Sequence, residues 1–254
     1  MIFKRFAANL RAQHWFAIGI ELAIVIVGVF IGTQVSNWNQ ERSAKQETSR
    51  LLSQVGAELV PLVANLDSIA SYYKVTRIYA DRAIAGWNGD PSVSDNEFVI
   101  AAYQASQING DGTNSLVWAE IFGADNLRNI DDLPLRRNLR QLMAFDYNLV
   151  NLSAAKSRYR EEVRKVIPDS QQKLIRARCG DRLQSGGVLI LQPACDLALP
   201  PADAARTATA LRARRDLVGE LNWHQAGIAT QMQNIQNLRV YCTQLMKRIG
   251  GARR

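Results

Sequence analysis

Glu21 is the only ionisable residue between Trp15 and Val35, a run that reads WFAIGIELAIVIVGVFIGTQV. A carboxyl group in such a run can hydrogen-bond at a helix–helix contact or carry a proton, and it turns away from lipid. Residues 7, 11 and 18 places further along a helix return to nearly the same angle, so Glu21, Gly28, Gly32 and Asn39 form one stripe, with Ala17 close by. Gly28-Val-Phe-Ile-Gly32 is a GxxxG pair, whose missing side chains let two helices approach closely. The expectation is a helix that packs against a copy of itself or a partner, with Glu21 hydrogen-bonded at the contact. The alternative is chance, because glycine is common in membrane helices.

Cysteine supplies the second piece of chemistry. Cys179 and Cys195 flank a stretch whose turn candidate, Ser185-Gly186-Gly187, lies midway between them. That is the layout of a hairpin closed at its base by a disulfide, worth about 3 kcal/mol for a loop of this length. Two free buried thiols are the alternative. Cys242 falls on the apolar stripe of a later helix and reads as a small hydrophobe.

Other candidates are weaker. Asn109-x-Asp111-x-Thr113-Asn114, with Glu120 in the twelfth place, has the outline of a calcium loop. Its sixth position is Asn where the turn needs Gly, so a polar turn before a helix is the better reading. His14 and His224 are isolated, and Asp131-Asp132 and Glu161-Glu162 fit a helix cap and a solvated face. No Gly-x-Ser-x-Gly elbow, phosphate loop, His-Glu-x-x-His or Cys-x-x-Cys occurs. The residues therefore point to no catalytic group, no metal and no cofactor, and to a non-enzyme.

The element that carries Glu21 is a transmembrane helix. Twenty-one residues at about 1.5 Å each span roughly 30 Å, the hydrocarbon thickness of a bilayer. Twelve of them are Leu, Ile, Val or Phe, worth about −4 to −7 kcal/mol together on the insertion scale, against about +3 for a central acid. Trp15 and Trp38 bracket the span as interface anchors. A cleaved signal peptide is disfavoured, because the apolar run is long and Gly32–Trp38 lacks an Ala-x-Ala-like site. Residues 1–14 hold Lys4, Arg5 and Arg11 and no acid, which favours a cytoplasmic tail. The other flank has Arg42, Lys45 and Arg50, so the disulfide decides orientation: it belongs in the periplasm. The organisation expected is a cytoplasmic tail at 1–14, a transmembrane helix at 15–38 and a periplasmic helical domain at 39–254, in the bacterial inner membrane.

Gly19-x-Glu21-x-x-Ile24-Val25-x-x-Gly28-x-x-Ile31-Gly32-x-Gln34-Val35-x-Asn37-Trp38-Asn39-x-x-Arg42 resembles the opening of an uncharacterised family of bacterial single-span membrane proteins. That family pairs a Glu-containing apolar helix with a Gln-Val/Ile-x-Asn-Trp-Asn exit. A looser block, from Thr113 to Leu139 with Phe145-Asp146-Tyr147 beyond it, is similar to the middle of such proteins. The two blocks cover about a quarter of the chain. The resemblance implies a membrane-anchored helical protein and brings no activity and no catalytic residues.

The remainder reads as all-α, the span continuing into an elongated bundle. Residues 52, 55, 59, 62, 66, 69 and 73 are Leu, Val, Leu, Leu, Leu, Ile and Tyr, a heptad stripe that Thr76, Ala80, Ala83 and Trp87 extend. Pro61 lies off the stripe and should kink that helix without ending it; Gly86, Gly89 and Pro91 stop it. Ser94-Asp-Asn-Glu97 is a capping box for a helix ending near Gln107, and a short helix is expected over about 114–122. Three long helices are expected at about 45–86, 133–166 and 203–249. The second places Leu135, Leu139, Leu142, Leu149, Leu152, Tyr159 and Val163 on its apolar face, and the third Leu221, Ile228, Met232, Ile235, Leu238, Cys242, Leu245 and Ile249. If the last helix returns to the membrane, Lys247, Arg248, Arg253 and Arg254 meet lipid headgroups; otherwise they are a solvated basic end.

The net charge of +8 is split between residues 1–39 (+2) and 203–254 (+6), which argues against one continuous nucleic-acid-binding face. What is left is a structural or interaction protein anchored in lipid and paired with itself or a membrane partner. The alternative is a periplasmic ligand-binding sensor that signals through a separate membrane subunit, with a pocket near Trp118, Phe122 and Tyr147. A hydrolase requires a polar cluster that the motifs do not announce.

Overall fold

A computed structural model describes residues 15–109, 126–151, 156–184 and 188–251. Among the described residues there are seven α-helices and one two-stranded hairpin. The first helix, α1, runs unbroken from Trp15 to Trp87, 73 residues, and passes through an exposed Pro61 without ending. The expected heptad stripe is its buried face: Leu52, Val55, Leu59, Leu66, Ile69, Tyr73, Thr76, Ala80, Ala83 and Trp87 are all buried.

Two glycines near its end act differently. Gly89 adopts φ +74°, and Asp90 N–H donates to Ala85 O (3.0 Å) while Gly89 N–H donates to Gly86 O (3.3 Å). That is a Schellman termination, which favours glycine at the left-handed position. Gly86 is no stop signal; a Cβ there would lie 2.2 Å from a ring carbon of Phe98, so its lack of a side chain lets the next helix close against α1.

That next helix, α2 (Asp95–Gln104), starts where the capping box predicts, with Ser94 Oγ accepting from Glu97 N–H (3.2 Å). The Glu97 carboxylate turns instead to Arg82 of α1 (2.5 Å). Residues Phe98–Gln104 are buried on every side, as befits a helix at the centre of a bundle.

The expected helix over 133–166 is two helices, α3 (Leu133–Met143) and α4 (Arg158–Val166), separated by a 3₁₀ turn at Tyr147–Val150. The interruption is made by short polar side chains that compete for backbone N–H groups. Asp132 caps α3 through Leu135 N–H, Asp146 takes Asn148 N–H, and Ser157 caps α4 through Arg160 N–H. The break throws the apolar register off, so Leu149 is exposed where a continuous helix would bury it. Leu152 and the helix expected over 114–122 lie outside the described residues.

Helix α5 (Asp169–Cys179) leads into the hairpin, β1 (Arg182–Leu183) antiparallel to β2 (Leu189–Ile190), closed by the Cys179–Cys195 disulfide with Cα atoms 5.4 Å apart. The Ser185–Gly187 turn lies outside the described residues. Tyrosines of α1 hold this unit: Tyr72 OH donates to Asp181 (2.7 Å) and Tyr79 OH to Gln192 O (2.9 Å).

The expected helix over 203–249 is also divided, into α6 (Pro201–Ala213) and α7 (Asp216–Gly251). The bend at Arg214–Arg215 has a clear partner. Arg215 donates to Trp87 O (2.7 Å) and Arg212 to Gly86 O (3.4 Å), so cations from this corner meet the carbonyl end of α1, whose own last turn has none. Helix α7 then runs antiparallel to α1: Arg239 pairs with Asp67, and Ile249 lies beside Gly56. Its predicted stripe is buried, with Met232 partly so.

Candidate functional site

Among the described residues the bundle buries α1 from Thr48 onward, and from Trp15 to Glu47 no residue is buried. Glu21, Gly28, Gly32 and Asn39 are exposed along one line of this bare section, and a Cβ added at Gly28 or Gly32 meets nothing within 4 Å. Trp15 and Trp38 stand exposed at its two ends, and the Arg42 guanidinium lies 5.8 Å from the centre of the Trp38 ring. The helix is long and apolar enough, near its N-terminus, to cross a membrane, and none of its most apolar window is buried within the chain. The basic tail and His14 lie outside the described residues.

His224 is not the isolated polar residue its neighbours suggest. It is buried, its ring stacks on Tyr159 (centroids 5.9 Å apart), and Nδ1 lies 3.0 Å from Ser157 Oγ. Ser157 Oγ also accepts from Arg160 N–H, so one hydroxyl links the imidazole to the first turn of α4. Burial, and after it the positive charge of Arg160, pushes the imidazole pKa down to about 4 against a backbone contribution from Ala105 that favours the proton. An imidazole of that kind is a weak proton acceptor, and the pair serves as a cap for α4.

A pH dependence follows. The unfolded imidazole titrates near 6.5, above its folded value, so protons bind the unfolded chain first. The stability carried by the neutral ring is complete above about pH 6.5 and falls as the pH drops toward 4, by up to about 3 kcal/mol. Urea midpoints of the full chain in detergent micelles should show that slope, and His224→Asn should flatten it; an unchanged slope in the variant refutes the assignment.

Arginines missed in the sequence gather nearby. Arg160 and Arg164, one turn apart on α4, both reach the end of α2. Arg160 donates to Ser106 O (2.6 Å), and Arg164 donates to Ser106 Oγ (3.2 Å) and Gln107 Oε1 (2.9 Å). The i, i+4 spacing of the arginines was readable, but not that α2 would end against them. Arg176 of α5 joins from the other side, donating to Tyr103 OH (3.2 Å). Tyr147, expected near a pocket, is buried edge-on to Phe145; Trp118 and Phe122 lie outside the described residues. An open apolar groove of about 510 Å³ instead runs between α1 and α7, past Tyr73, Ile78, Ile228 and Met232.

Cys242 is a free, buried thiol whose pKa burial raises to about 12. Of the calcium-loop candidates only Asn109 is among the described residues, where its N–H donates to Tyr73 OH (3.1 Å). Among the described residues no three His, Cys, Asp or Glu side chains lie close enough together to hold a metal. No family model, no curated protein and no solved structure matches the chain.

Proposed function

We propose that the protein is a non-enzymatic, membrane-anchored structural or interaction protein. In this reading α1 crosses the bacterial inner membrane, residues 1–14 are cytoplasmic, and the bundle stands in the periplasm. The likeness of its opening to single-span bacterial membrane proteins belongs to the same reading. One observation carries it: among the described residues the most apolar stretch of α1 is left unburied, while α1 from Thr48 onward packs into a bundle. A bare apolar face of that size calls for lipid, and a carboxyl group and two glycines on one line call for a second helix.

The geometry beyond the span also bears on lipid contact. Residues 39–47 form a polar stalk about 14 Å long before the first buried residue. Helix α7 does return toward the membrane, but Ile249 stops beside Gly56, about 27 Å along the axis from Trp38. That exceeds the screening length of about 8 Å at physiological salt, so Lys247 and Arg248 behave as a solvated basic end.

Crosslinking tests the reading. A cysteine at Gly28, in native membranes, is expected to give a dimer or a defined heterologous product, because Cys242 is buried and the other two cysteines are bonded to each other. Cysteines at Val27 or Val29, off the stripe, should give less. Monomer alone at all three positions overturns the packing claim. The sensor alternative is favoured by one feature, the arginine cluster at the end of α2.

A further inference from the structure

We infer that Arg160, Arg164 and Arg176 form a binding site for a small oxyanion, a phosphate or carboxylate group of a soluble ligand. Three guanidiniums from two helices converge on Tyr103 and Gln107. Arg160 and Arg164 share Gln107 Oε1 (3.5 and 2.9 Å), the Arg164 guanidinium lies 4.7 Å from the centre of the Tyr103 ring, and Arg176 is on the hydroxyl of the same tyrosine. Like charges held this closely repel one another. Burial lowers the Arg164 pKa first, and the Arg160 charge next.

Among the described residues the compensation is incomplete. Asp169 reaches Arg176 at 3.7 Å, but it lies closer to Lys173 (2.7 Å). The Asp181 charge favours protonated Arg164, and its carboxylate accepts from Tyr72. The hydrogen-bond partners of Arg160 and Arg164 among the described residues are neutral: a carbonyl, a hydroxyl and an amide oxygen. Those bonds use Nη1 of Arg160 and Nε and Nη2 of Arg164, which leaves fork donors over. Forks of this kind match the paired oxygens of a phosphate or carboxylate. Arg160 holds the Ser106 carbonyl just past α2, and Arg164 holds the Ser106 hydroxyl and the Gln107 amide oxygen, which fixes their side chains and thus preorganises the site.

The source of the oxyanion is constrained by position. Tyr72, whose hydroxyl marks the level of this cluster on α1, lies 34 residues beyond Trp38, about 50 Å along the helix. If α1 is the membrane anchor, headgroups do not reach it, so the ligand is a soluble one. The site itself does not depend on the anchor reading, because its test and the Gly28 crosslink report on opposite ends of the molecule.

The full chain in detergent micelles is titrated with inorganic phosphate or with succinate at constant ionic strength, sodium chloride making up the balance. Thermal unfolding and calorimetry are the readouts. A saturable stabilisation by either anion, beyond that of chloride, supports the site, and which one saturates identifies phosphoryl or carboxylate recognition. Arg176→Gln, at an exposed side chain, is expected to fold normally and to weaken affinity about tenfold, the loss of one charge-assisted hydrogen bond. Arg164→Gln should remove the response, and Arg50→Gln, at an exposed side chain about 33 Å along α1 from Tyr72, should leave it intact. Absence of saturation with both anions, or an equal response in wild type and Arg176→Gln, overturns the inference.

Discussion

Trp87→Ala is expected to lower the stability of the full chain by about 4 kcal/mol, the cost of emptying a large buried aromatic site. Trp87 closes the last turn of α1 and is 1% exposed. Its ring meets Phe98 of α2 edge-on at 5.1 Å and Tyr159 of α4 at 6.4 Å, and its Nε1–H donates to Leu211 O of α6 at 2.8 Å. Three helices therefore lose a shared partner on α1 at once. Trp87→Phe keeps most of the apolar volume but leaves the Leu211 carbonyl without its donor, a smaller loss of about 1–3 kcal/mol. Urea unfolding in detergent micelles, followed by circular dichroism, separates the two. A loss below about 1 kcal/mol for the alanine variant would show that these helices hold together without the ring.

Cys195→Ser is expected to lower stability by about 3 kcal/mol, mainly by freeing the unfolded chain from a closed loop of this length. The bond joins residues 16 apart in sequence. It also secures the unit that Tyr72 and Tyr79 bind, while Gln104 of the buried α2 donates to Cys179 O (2.5 Å). Reductant should therefore shift the unfolding midpoint of the wild-type chain down to that of the variant and leave the variant unmoved. A wild-type midpoint insensitive to reductant refutes the contribution.

Periodicity made the long helices legible. The stripes from Leu52 to Trp87 and from Leu221 to Ile249 are buried nearly residue for residue, because in an antiparallel pair the apolar face and the contact face are the same surface. The Ser94 cap and the Cys179–Cys195 hairpin were equally local in origin. The breaks were not legible. Asp146 and Ser157 could cap a helix or sit solvated on one, and only tertiary partners decide between the two. Arg214 and Arg215 look like ordinary helix residues until Trp87 O and Glu162 are placed beside them.

The candidate sites divide the same way. The Glu21, Gly28, Gly32 and Asn39 line follows from angle arithmetic along one helix. The arginine cluster joins residues 103–107, 160–164 and 176, and His224 meets Ser157 across 67 residues. No spacing rule within a single segment reaches across such separations.

The unbroken backbone from Trp15 to Trp87 makes the crossing angle inside the bilayer an architectural variable for everything outside it. Should two copies cross near Gly28 and Gly32 at about 40°, as GxxxG pairs often do, rods of this rise would stand about 18 Å apart at Thr48 and about 31 Å apart at Val60, just before Pro61. A shallower crossing of about 20° halves both gaps. A few degrees of scissoring between two glycines thus becomes an opening or closing of many ångströms at the distal tips.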